Sequence, residues 1–210
     1  MTTSGLFRLS GTALVLAAAL FAMAEVISFY IFAEQGADYN LREIALTGAF
    51  FLQSLLTLFA GTLLLGGTVG LYARQAEAAG KLGLVGFVLA FFVTAFVVGD
   101  FFANTFVTPL VAREAPTFLD NPLSGFLQVW LPFDFVVLAF GWSLLAVATL
   151  RARVYPRGTS WALLVTVFLA LVPVPLANLP FYAALAWVGL HLRRVRDVAP
   201  RGRRRSKPRR

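Results

Sequence analysis

No cysteine occurs in the 210 residues of this chain. Disulfides, iron–sulfur clusters, thiolate zinc sites and thiol redox chemistry within the chain are therefore excluded. Histidine occurs once, at His191, and lysine only at Lys81 and Lys207. A single imidazole cannot build a bis-histidine haem or a histidine-rich metal site, so His191 is read as an interface residue rather than a ligand. No lysine lies inside an apolar run to carry a Schiff base. Charge of either sign is scarce: 13% of the residues are Asp, Glu, Lys or Arg, against 59% hydrophobic. Nucleophile-elbow, phosphate-loop and zinc-protease patterns are missing, so no enzymatic activity, metal or cofactor is expected.

What the chain does have is length of apolar run. Charges are nearly absent from long blocks and gather in short connectors, the pattern of a polytopic protein whose uncharged helices face lipid. The expected architecture is all-α, a transmembrane helix bundle over residues 1–192 with a disordered basic cytoplasmic tail over 193–210. Residues 9–33, 44–72, 82–111 and 123–150 each exceed the roughly 20 residues that a span requires. "AMA" at 22–24 has the small-residue form of a signal-cleavage site, but the apolar run continues through "VISFYIFA". The first segment is accordingly read as an uncleaved anchor.

The connectors alternate in charge. "EQGADYNLRE" (34–43) and "REAPTFLDNP" (113–122) are net acidic, whereas "ARQAEAAGK" (73–81) and "RARVYPRG" (151–158) are net basic. The positive-inside rule puts the basic connectors, and with them the amino terminus, in the cytoplasm of a bacterial inner membrane. The last apolar run, from Trp161 to Leu192, is followed by ten Arg or Lys in the final eighteen residues. One continuous helix there would be roughly 48 Å long against a hydrocarbon core of roughly 30 Å, and it would export that tail. Pro173, Pro175 and Pro180 each remove a backbone donor, so the chain is expected to turn there with Asn178 near the tip. This makes six membrane segments with both termini inside, the last two a short Pro-rich hairpin. Its arms of about 16 residues fit either a thin crossing or a re-entrant hairpin.

A shift of 75 positions superposes Gly11 on Gly86, Leu14 on Leu89, Phe21 on Phe96, Glu25 on Asp100, and "FLQ" at 51–53 on "FLQ" at 126–128. Segments one and two would then repeat as three and four, in parallel.

Three acids fall within the segments: Glu25, Asp100 and Asp134. The topology places them in one layer with Gln53. Charge in hydrocarbon costs about 2.5 to 3.5 kcal/mol on insertion scales, so such groups face the bundle interior and find partners. Asp100, Asn104 and Thr108 recur every four residues and share a helix face, as do Gln53 and Thr57. Pro132 frees the carbonyl of Gln128, one turn earlier, and is expected to kink the helix just before Asp134. Hard oxygen donors without soft ones suit a proton or a hard cation. Glu25, Asp100, Asp134, Gln53 and Asn104 are thus a candidate cation or proton site. The competing reading protonates the acids and uses them as hydrogen-bonding glue between helices.

Gly61, Gly66 and Gly70 read as small-residue helix packing, and Trp161 as an interface anchor. In the tail, Arg193, Arg194, Arg196, Arg203, Arg204 and Arg205 are expected to meet anionic lipid head groups, at about 1 kcal/mol per basic residue near the surface. The tail carries no aromatic residue for base stacking, and no specific nucleic acid is expected. The order of elements, with "GLYARQAEAAGKLGLVGFVLAF" bridging segments two and three and a Pro-rich hairpin at the end, resembles a family of uncharacterised small polytopic inner-membrane proteins of actinobacterial-type, GC-rich bacteria. The resemblance implies a bundle of about six helices and transfers no functional residue. Two roles follow from the residues. One is a structural or accessory partner in a membrane assembly or homo-oligomer; the other is a small cation- or proton-coupled transporter using the acidic cluster.

Overall fold

The computed structural model describes residues 3–35, 40–119, 126–169 and 176–194, with the side chains of Thr3, Gln35 and 126–135 outside the description. Among the described residues the chain is helical and no strand occurs. Helix α1 spans Thr3–Gln35, α2 Leu41–Ile44, α3 Gly48–Phe102, α4 Thr108–Glu114, α5 Phe126–Ala152, α6 Arg157–Leu169 and α7 Leu179–Arg193. A π-helical turn, Ala103–Val107, joins α3 to α4, and a 3-10 turn, Pro116–Phe118, follows α4.

Two helical stretches, Ser4–Glu34 and Gly48–Glu114, are long and apolar enough to cross a membrane by length and composition. The longer one doubles back on itself. Gly80, with φ 56° and ψ −149°, breaks α3 in a conformation open almost only to glycine. Across that break the Tyr72 and Phe87 rings stack at 4.4 Å, and farther out Gly61 lies against Val98 and Phe101. The two arms, 48–79 and 81–102, are therefore antiparallel. The connector expected at 73–81 is a correction in part: it is helical except at Gly80, because Ala73, Ala76, Ala78 and Ala79 favour helix.

Regular helix was also expected through Asp100, Asn104 and Thr108, and the π turn interrupts it. Pro109 has no N–H for the Thr105 carbonyl and its ring would crowd that oxygen. The chain widens instead, Thr108 N–H bonding Ala103 O, while the Thr105 hydroxyl donates to Phe101 O at 2.7 Å. Pro180 likewise differs from its expected place in the turn. It sits in the first turn of α7, where its missing N–H costs nothing.

Helix contacts are made close by small residues. A Cβ on Gly11 would stand 2.6 Å from the Gly189 carbonyl oxygen, and one on Gly189 would stand 2.7 Å from that of Gly11. Gly86 meets the Leu145 amide and Gly141 the Ala90 amide in the same way. These approaches lock α1 to α7 and the second α3 arm to α5. Around them Leu14, Leu71, Trp142, Leu145, Leu163, Leu185 and Leu192 form the main core. A second cluster of Ile44, Ala45, Phe50 and Ala112 ties the connectors together at the far end from Gly80. Asn40 and Thr47 cap the helices that begin there, accepting from Arg42 N and Phe50 N. Outward, the long helices present large apolar side chains, among them Phe59, Phe92, Phe96, Phe140 and Phe168.

The 75-residue shift has a structural counterpart in register. Ser10 packs on Gly70 and Leu14 on Gly67; shifted, these become pairs 85/145 and 89/142, and the contacts found are Gly86 with Leu145 and Gly141 with Leu89 and Ala90. The short turns at Leu41–Ile44 and Pro116–Phe118 also begin 75 residues apart. The faces do not follow, since Phe21 is buried while Phe96 is 57% exposed.

Candidate functional site

Near the connector end of the bundle, helices α1, α3, α5, α6 and α7 surround a cavity of about 360 Å³. Glu25, Gln53, Asp100 and Asn104 all line it, so four of the five residues expected at the site converge. The side chain of Asp134 lies outside the described residues. Asn178, expected at the hairpin tip, also lines the cavity, whereas Pro173 and Pro175 fall outside the description.

Glu25 is half-buried and its partners are uncharged. Its Oε1 accepts from the Leu176 amide at 3.2 Å and from Asn178 Nδ2 at 3.2 Å, and its Oε2 from the same Nδ2 at 3.4 Å. Leu176 holds φ 67°, a left-handed value rare for a branched side chain, and the bond from its N–H to the carboxylate offsets that strain. The described turn at 176–178, which leads into α7, therefore lies at the level of Glu25, while α1 continues to Gln35, roughly 15 Å farther along its axis.

Asp100 and Asn104 are exposed at the cavity wall, on the helix that the π turn widens. Such turns occur frequently at functional positions. Thr108 donates to Asn104 Oδ1 at 3.3 Å. Gln53 lies opposite, on the first arm of α3, with Thr57, whose hydroxyl bonds back to Ser54 O at 2.8 Å.

Aromatic residues complete the wall, and sequence reasoning misses them among the many Phe of this chain. Phe21 stacks on Tyr182 at 5.0 Å and meets Phe101 edge-on at 6.1 Å. Trp142 meets Phe181 edge-on at 5.6 Å and donates its indole N–H to Thr94 at 3.2 Å. The signal that could have found Tyr182 is its place one helical turn after Asn178, on the same face. No Arg, Lys or His is among the described residues lining the cavity. No three of His, Asp and Glu group closely enough among the described residues to hold a metal ion.

At the Gly80 end, Arg74 lies 4.7 Å over the Tyr155 ring and donates to the His191 carbonyl at 3.2 Å. His191 Nδ1 lies 3.0 Å from Trp187 O, one turn back on its own helix. Arg193 closes α7 and, like Arg194, is exposed there; Arg196, Arg203, Arg204 and Arg205 lie outside the described residues. Comparison with protein-family models, curated proteins and solved structures finds no match for this chain.

Proposed function

We propose that this chain is a bacterial inner-membrane protein with both termini in the cytoplasm, and that it is a small cation- or proton-coupled transporter built around the cavity. The observation that carries the reading is the convergence of Glu25, Asp100, Gln53, Asn104 and Asn178 on one space with no basic residue among its described lining. Within an apolar exterior, two acids and three amides project into one largely apolar cavity, and intramembrane acids that face a bundle interior mark cation and proton pathways.

In this reading α1, both arms of α3 and α5 cross the membrane. Helices α6 and α7, with 13 and 15 residues, enter from the cytoplasm and return as the fifth and sixth segments. The 176–178 turn at the level of Glu25 supports a re-entrant hairpin. Non-helical backbone at membrane depth is tolerated where it lines a cavity, and the 176–178 turn does so through Asn178. The basic connectors around Arg74 and Arg151 and the basic tail then share the cytoplasmic face, the tail against anionic lipid.

Purified protein in liposomes tests the reading. Gradients of protons, sodium and potassium are imposed in turn, and at least one is expected to drive a flux that Asp100→Asn abolishes. Silence under every gradient would return the chain to an accessory role, with Glu25 serving only to tie the hairpin to α1.

A further inference from the structure

We infer that the cavity takes an organic ammonium ion, held by Asp100 and Glu25 as counter-charges and by the faces of Phe21, Phe101 and Tyr182. The inference names the substrate class of the transporter proposed above and rests on that reading.

Three features separate this ligand from a bare ion. The first is size: about 360 Å³ lies within the range of pockets that enclose small organic ligands. The second is the donor set. A hard metal ion gathers six or more oxygens at roughly 2.0 to 2.6 Å, and no three metal-binding side chains cluster among the described residues. Glu25 already accepts from Leu176 and Asn178. The third is the wall itself. Phe101, Phe21 and Tyr182 form a contiguous series of rings, continued by Phe181 to Trp142. Such a wall offers an inorganic ion little coordination, but aromatic faces attract ammonium groups and shield their alkyl carbons. The two acids supply net negative charge with no described basic residue to neutralise it, so an anion or a neutral amide is disfavoured.

The geometry couples binding to the hairpin. A cationic ammonium head group drawn against Glu25 competes by its charge with the Leu176 and Asn178 donors for the same carboxylate oxygens. Occupancy thus loosens the 176–178 turn, which is the structural event an access change requires.

Isothermal titration of the full chain in detergent with tetraethylammonium tests the assignment, beside flux measurements in liposomes. Saturable binding is expected, weakened at least about tenfold by Asp100→Asn and about 2- to 30-fold by Tyr182→Leu. A melting curve confirms that each variant is folded; Phe101→Leu replaces Tyr182→Leu if the latter does not fold. The assignment is overturned if folded wild-type protein shows no saturable binding, or if either folded variant binds as tightly as wild type. Inorganic-ion flux that depends on Asp100 without tetraethylammonium binding would retain the transporter and discard the ligand class. Binding without flux of any ion would do the reverse.

Discussion

Asn178 holds both oxygens of the Glu25 carboxylate through one amide nitrogen, at 3.2 and 3.4 Å. This contact joins α1 to a hairpin more than 150 residues later in the chain, inside the wall of the cavity. Hydrogen bonds to a charged group contribute about 1.5 to 3 kcal/mol, so Asn178→Ala is expected to destabilise the protein by about 1 to 2 kcal/mol. Glu25→Gln, which keeps an acceptor and the side-chain shape, should cost less than Glu25→Ala. Thermal unfolding in detergent measures the order; equal melting temperatures for wild type and Asn178→Ala would show that the contact carries no stability.

Gly11 and Gly189 approach through their backbones, and a methyl group at either has nowhere to go. Gly11→Ala and Gly189→Ala should each cost about 1 to 3 kcal/mol, as overpacking does. Gly66 and Gly99 have open space at the same position. Both lie within α3, where alanine is the better helix former, so Gly66→Ala and Gly99→Ala should leave stability unchanged or raise it by up to about 1 kcal/mol. A melt that ranks the four variants otherwise contradicts the close helix crossing.

Gly80 has open space where the methyl of an alanine would sit, yet its φ and ψ are those of glycine. Gly80→Ala is therefore expected to cost about 1 to 3 kcal/mol through backbone strain alone. Because the chain has no native cysteine, a Tyr72→Cys, Phe87→Cys pair gives an unambiguous crosslinking readout of the hairpin. Crosslinking should be efficient with Gly80 and weaker in Gly80→Ala; failure with Gly80 intact would mean that the arms do not fold back.

Burial raises the Tyr155 phenol above its ordinary value of about 10, and the Arg74 charge opposes the rise without cancelling it. In the unfolded chain the phenol ionises first, so above about pH 10 the unfolded state has lost a proton that the folded state keeps. Stability is unaffected by this group below that pH and falls as the pH climbs through it. Tyr155→Phe removes the dependence. Melting temperatures from pH 8 to 11 should decline more steeply in wild type than in the variant, and parallel curves would contradict a buried phenol.

Much of the site was legible from spacing. Glu25 and Asp100 stand 75 residues apart in segments that start on the same side, and Gln53 shares their depth, so their convergence follows from helix length and direction. Direction alone does not choose a face. Phe21 points into the core and Phe96 outward, although the shift superposes them. The π turn was legible only in hindsight, from "TP" at 108–109, because its cause is one missing amide four residues after Thr105. The role of Asn178 was not legible at all: it depends on how deep the hairpin reaches, and two short arms fit more than one depth.

Local chemistry was enough to decide that the described segments are helical and that the chain reverses within the 73–81 connector, because those outcomes depend on neighbours in sequence. The cavity, its aromatic wall and the bond from the hairpin to Glu25 were decided by packing. They depend on which helix faces which, and that is settled by a few glycine contacts between segments as distant as Gly11 and Gly189.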